Sequence, residues 1–171
     1  MSGTAFTRQH ARKLKRYSEN VVLVFDGDLA GLKASFRSID MILSEGMNVK
    51  VILFPDGEDP DSYAQKCTQQ ELEIFLKTNS KDFIAYKTKV LSKDALDDPS
   101  QRVTMIKDIA SSIACIPDSI GRSEYIKDCS RLLLVKEIEL AQEVSNQKTK
   151  KNSSILVKNL KENRKNSLEE R

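Results

Sequence analysis

Two carboxylates separated by a single glycine, Asp26 and Asp28, directly follow the apolar run Val21-Val22-Leu23-Val24-Phe25. A second acidic cluster, Asp56, Glu58, Asp59 and Asp61, follows another such run, Val49-Lys50-Val51-Ile52-Leu53-Phe54. Carboxylates held close together repel one another, and raised pKa values or a bound divalent cation relieve that repulsion. Oxygen donors without His or Cys suit magnesium or manganese rather than zinc. Two such ions about 3.5–4 Å apart can hold the attacking and leaving oxygens of a phosphoryl transfer. Gly27 lets the chain turn tightly enough for both carboxylates to leave the strand end on one side. The competing role is conformational. Asp and Gly crowd turns in any protein, and Asp59-Pro60-Asp61 can simply cap the helix that follows.

The elements that must position these acids can be read from periodicity. Thr7 to Tyr17 has helical spacing, with Phe6, Ala11, Leu14 and Tyr17 recurring. The two apolar runs predict strands buried on both faces. Between them, apolar residues at 29, 32, 36, 39, 42 and 43 form one stripe of an amphipathic helix stopped at Glu45-Gly46. Strand, helix and strand in that order make a right-handed βαβ unit the default, with both acidic clusters on the edge where open α/β sheets bind ligands. After Pro60 the strands stop. Thr68 and Glu71 form a capping box, Ser80 caps a helix carrying Phe83 and Ile84, and Asp98-Pro99 and Pro117-Asp118 open two further helices. Helix continues from Lys136 to Val144. The expected organisation is α/β followed by α: a partial α/β domain over residues 1–61, a small helical bundle over 62–145 and a loose basic tail over 146–171. Two strands buried on both faces call for flanking strands that this sequence lacks, so a truncated domain is expected.

Composition narrows the class. Hydrophobic residues make up 39% and charged residues 31% of the 171, enough for a core and a solvated surface. No run of eighteen apolar residues exists to span a membrane, and no signal-peptide core follows Met1. Cys67, Cys115 and Cys129 are odd in number and widely spaced, which fits reduced thiols in a cytoplasmic protein and argues against a zinc site. The net charge of +3 is uneven: residues 1–19 carry five Lys or Arg against one Glu, and residues 148–171 carry eight against three. The middle is acidic. Solvated helix surface and a frayed tail explain both basic ends more simply than a dedicated DNA patch.

Several segments resemble the toprim domain of bacterial replicative DNA primases. They are Gly3-Thr4-Ala5-Phe6-Thr7, the stretch from Val22 through Asp26-Gly27-Asp28 to Gly31, Gly46-Met47-Asn48-Val49, and Leu53-Phe54-Pro55-Asp56-Gly57-Glu58-Asp59-Pro60-Asp61. Ile116 to Arg122 and Tyr125-Ile126 are similar to the helical region that follows toprim in that family, so the resemblance covers about residues 3–145. It implies a toprim fold joined to a helical bundle. Asp26 and Asp28 match the catalytic pair that binds Mg2+ (or Mn2+), and Asp59 and Asp61 match later metal-binding acids, with Asp56 and Glu58 as lesser candidates. It also implies synthesis of short RNA primers from NTPs on a single-stranded DNA template, in partnership with the replicative helicase.

The sequence departs from the family pattern in several places. The earlier strand with its glutamate, the zinc-binding domain and the N-terminal polymerase subdomain are missing, and no helicase-interaction domain is recognisable after residue 145. The expectation is a catalytically incomplete enzyme segment that makes no primers alone. Two other readings stand beside it: a piece of a toprim nuclease or topoisomerase, and a non-catalytic helical interaction module over 62–145. The first lacks a plausible catalytic tyrosine, because Tyr17, Tyr63, Tyr86 and Tyr125 all fall at packing positions. Lys33 and Arg37, one helical turn apart after Asp28, are candidate nucleic-acid contacts, with surface solubility as their competing role.

Overall fold

The computed structural model describes residues 6–25, 29–54, 60–94 and 98–169, with side chains from residue 35 onward in the second helix and up to residue 154 in the last. Helix α1 (Arg8–Lys15) starts at a Thr7 cap whose hydroxyl accepts from the His10 backbone. It leads into strand β1 (Asn20–Phe25), helix α2 (Leu29–Ser44) and strand β2 (Asn48–Leu53). Gly46 takes φ +74° to end α2 and turn the chain into β2, a backbone state that costs glycine little. The two strands pair in parallel, from Asn20 opposite Asn48 to Phe25 opposite Leu53. The βαβ unit read from the sequence is thus formed.

The remaining elements are α3 (Pro60–Lys66), α4 (Gln69–Asn79), β3 (Lys81–Asp82), α5 (Phe83–Asp94), α6 (Pro99–Cys115), α7 (Ser119–Leu133) and α8 (Glu137–Glu169). Three capping signals in the sequence act as such. Thr68 and Glu71 bond reciprocally, Asp98 accepts from Ser100 N–H ahead of Pro99, and Asp118 accepts from Gly121 N–H.

Four expectations are corrected. First, strands do not stop at Pro60: β3 pairs antiparallel with β2, Asp82 opposite Lys50 and Lys81 opposite Val51, giving the sheet order β1-β2-β3. Second, because Lys81 and Asp82 are held in that pairing, α5 begins after them, and its first turn is capped by Asp82 through the Ala85 N–H rather than by Ser80. Third, β1 is not buried on both faces. It lies at the end of the three-strand order, and Val22 and Val24 stay 49% and 41% exposed while Val21, Leu23 and Phe25 face the core. Fourth, residues 146–169 are helical rather than loose. No Gly or Pro interrupts residues 137–169, and the first turns of α8 are anchored by buried Leu140 and Val144.

The core is one continuous cluster across residue 61. Ile39, Ile42 and Leu43 of α2 join Val49 and Val51 of β2, Phe83 and Ile84 of α5, Ile109 and Ile113 of α6, and Leu140 of α8. A satellite of Phe54, Tyr63 and Phe75 fastens α3 and α4 beside the end of β2, with ring centroids 4.5–5.1 Å apart. Among the described residues, no helix is long and apolar enough to cross a membrane.

Candidate metal centre

The parallel register sets where the acids fall. β1 and β2 end level, and the Phe54 N–H donates to the Phe25 carbonyl at 3.0 Å, one residue beyond the last strand pair. The residue after Phe25 is Asp26, and the residue after Phe54 is Pro55. The two strands therefore end side by side at one sheet edge, immediately before the acid-bearing segments in sequence. Asp26, Asp28, Asp56, Glu58 and Asp59 lie outside the described residues. Asp61 is described: it sits in the first turn of α3, exposed, and its carboxylate accepts from Gln65 Nε2 at 3.1 Å. That bond is the helix-surface role weighed against metal binding in the sequence. Among the described residues, no three His, Cys, Asp or Glu side chains converge. A donor set made only of carboxylate oxygens fits a hard divalent cation and does not fit zinc.

Of the two candidate basic contacts, Lys33 lies in α2 with its side chain outside the described part. Arg37 is exposed and lines a groove together with Arg8 and Arg12 of α1.

Helix α2 starts at the acidic edge and is held by a buried polar network that the sequence reading did not find. Lys87 of α5 is 1% exposed, and its ammonium donates to Ser112 Oγ (2.9 Å), to Asp108 Oδ1 (3.2 Å) and to the Asp108 carbonyl (3.3 Å). It also lies 4.7 Å from the centre of the Phe36 ring. Ser112 in turn donates to Asp40 Oδ1 of α2 at 2.7 Å. Burial pushes the Asp40 carboxyl above its usual range, opposed by the Ser112 hydrogen bond and the Lys87 charge. A signal did exist: Phe83, Ile84, Lys87 and Thr88 fall on one face of α5, so helical spacing alone places Lys87 inward.

A second link ties the helices to the sheet. The Tyr125 hydroxyl of α7 donates to Asp82 Oδ2 while Asp82 Oδ1 caps α5. Burial, then the neighbouring Asp82 carboxylate, pushes the phenol pKa up. None of the four tyrosines is placed for nucleophilic work. Tyr125 is bonded to Asp82, Tyr63 is in the aromatic satellite, Tyr86 packs on the core and Tyr17 is 89% exposed beyond α1. Cys129 is buried against Thr88, and Cys115 packs beside Lys151, so both thiols behave as packing groups.

Comparison with known proteins agrees with this geometry. The profile of the Toprim-like family matches residues 1–64, and that of the DnaB-helicase binding domain of primase matches residues 88–136. The second match falls inside the helical segment rather than after residue 145. The DNA primase of Halalkalibacterium halodurans is 34% identical over 73% of this chain, and the match covers 21% of that protein. The E. coli primase catalytic core superposes with a TM-score of 0.67 at 25% identity, covering 78% of this chain and 44% of that one. A DnaG primase catalytic domain solved bound to single-stranded DNA gives 0.67 at 24% identity, over 80% and 44% of the two chains. The chain thus spans about a fifth of the length of that curated relative. Its sequence, the order of its family matches and its fold agree that it belongs to the bacterial DNA primases.

Proposed function

We propose that this chain carries the acidic half of a primase metal centre, used in synthesising short RNA primers on single-stranded DNA. The observation that supports the reading is the level ending of β1 and β2, which directly precede in sequence the segment beginning at Asp26 and the segment leading to Asp59 and Asp61. Asp26 and Asp28 would hold the divalent cation, with Asp59 and Asp61 completing the acidic edge. Magnesium or manganese there supplies charge neutralisation for phosphoryl transfer. The chain's own contribution is to hold the carboxylates at a rigid strand end, with α2 fixed behind them by the Lys87 network. A nuclease or topoisomerase reading is not favoured: the matched relatives are primases, and the helical segment matches a primase family.

The test is a chimera. Residues 3–145 replace the aligned segment of a full-length bacterial primase, and RNA primers made on single-stranded DNA are counted. The chimera should prime, and Asp26→Asn/Asp28→Asn should lower priming by about a hundredfold or more, the scale of losing one preorganised charge-stabilising element. Undiminished priming by the double variant would overturn the reading.

The match over residues 88–136 favours a second role, contact with the replicative helicase. Val103, Ile120, Leu132 and Leu134 are large apolar residues in or beside that segment, and all are more than half exposed. Calorimetry with the helicase hexamer should show affinity that Ile120→Ser/Leu132→Ser reduces at least tenfold. Equal affinity of the variant would remove that surface from the proposal.

A further inference from the structure

Both basic ends of the chain come together in the fold. Helix α1 and the middle of α8 form opposite walls of an open groove of about 790 Å3, floored by the second half of α2 and the last turn of α6. The groove lies toward Glu45 at the C-terminal end of α2, whereas the acidic edge lies beyond the other end of that helix. Six cations line it, Arg8, Arg12, Arg37, Lys148, Lys150 and Lys151, against two acids, Asp40 and Glu45. Glu45 is taken by Arg12, Nε to Oε1 at 3.3 Å. Asp40 accepts from Ser112 above the buried Lys87. Lys151 is turned inward, onto the Ser111 carbonyl and Cys115 Sγ. Arg8, Arg37, Lys148 and Lys150 therefore have no acidic partner among the described residues.

Four unpaired cations facing one concave space repel one another, and an anion removes that cost. Two are arginines, whose planar forks match phosphate oxygens. Among the described residues no aromatic side chain lines the groove, so it lacks the aromatic platform on which single-strand binders stack successive bases. Its apolar floor is Met41, Ala114, Ile116 and Pro117. Beyond Lys151 the sequence stays basic, with Lys158, Lys161, Arg164 and Lys165 on a segment that is helical throughout. From Lys151 to Lys165 that helix rises about 20 Å, further than one free nucleotide reaches. We infer that this groove binds the phosphate backbone of a nucleic-acid strand, without reading its bases, at a site separate from the acidic edge. The inference does not rest on metal binding.

The experiment is fluorescence anisotropy of the whole chain with labelled twelve-residue oligo-dT or oligo-dA, in EDTA, across a range of salt. The four groove cations should together contribute about −2.8 to the slope of log K against log salt, and each pair removed should lower the slope by about 1.4. Arg8→Gln/Arg37→Gln and Lys148→Gln/Lys150→Gln should each show that loss. Lys77→Gln/Lys89→Gln, which removes the same charge from other helices, should leave it unchanged. The two oligonucleotides should bind alike. Asp26→Asn/Asp28→Asn should bind as the parent does, which keeps this outcome distinct from failure of the metal reading. An equal loss in the Lys77/Lys89 variant would reduce the effect to net charge and overturn the proposal. So would ATP in EDTA competing as well per molecule as the oligonucleotide, because the groove would then take free nucleotide phosphate.

Discussion

Replacing Lys87 with methionine removes the ammonium while keeping most of the side-chain volume. Removing one partner of a fully buried ion pair costs about 3–5 kcal/mol, because the other charge is left uncompensated. Here the cost is smaller, since the Asp108 side chain is 50% exposed and can recover water. What is lost is the donor to the Asp108 carbonyl and to the Ser112 hydroxyl, and the positive charge that faced Asp40. About 2 kcal/mol follows, and at this chain length that lowers the melting temperature by roughly 4–8 °C. Urea unfolding followed by circular dichroism measures the free energy directly. Neutralising Asp40 in the same chain should recover part of the loss, with a coupling on the order of 1 kcal/mol, because an amide no longer needs the cation. A Lys87→Met chain within about 0.5 kcal/mol of the parent, or strictly additive losses, would refute the claim that this network fixes α2.

Two other outcomes follow from the same geometry. Burial raises the Asp40 pKa, so the folded chain holds that proton more tightly than the unfolded one, and stability from this group is present below the ordinary value near 3.9 and lost as pH rises through the raised value. Asp40→Asn, which can still accept from Ser112, should therefore stabilise the chain at neutral pH and give no gain near pH 3; the reverse order in thermal melts across that range would contradict it. Leu134 ends α7 at φ 53°, ψ 44° and is 85% exposed, so it bears left-handed strain with little packing in return. Leu134→Gly should raise stability by about 0.5–1 kcal/mol, and a lower melting temperature would show that the leucine is held by contacts instead.

Local chemistry made much of this fold readable. Two continuous β-branched runs with an amphipathic helix between them left little choice but a parallel βαβ unit, and Thr68-Glu71, Asp98-Pro99 and Asp118 marked helix starts through hydrogen bonds made within three residues. Features that depend on distant partners were not readable. Val22 and Val24 look like core residues until β1 is seen at the end of the sheet, and Lys81-Asp82 is a strand only because β2 lies beside it. The persistence of α8 is hidden in the sequence because a polar composition suits a loose tail equally well, although no helix breaker is present. Lysine is seldom buried, so Lys87 carries no inward signal by residue type, only by its helical spacing. The convergence of the two basic ends joins residues more than a hundred positions apart, which no local pattern encodes. For the acids, residue type and spacing suggest the chemistry, and strand register adds that β1 and β2 end level just before them in sequence.

The most direct test of the metal centre is a manganese titration of the purified chain, followed by water-proton relaxation, beside the same titration of Asp26→Asn/Asp28→Asn with folding verified by circular dichroism. The account predicts saturable binding to the parent chain and none to the double variant. Equal binding by both, or no binding by the folded parent, would contradict it.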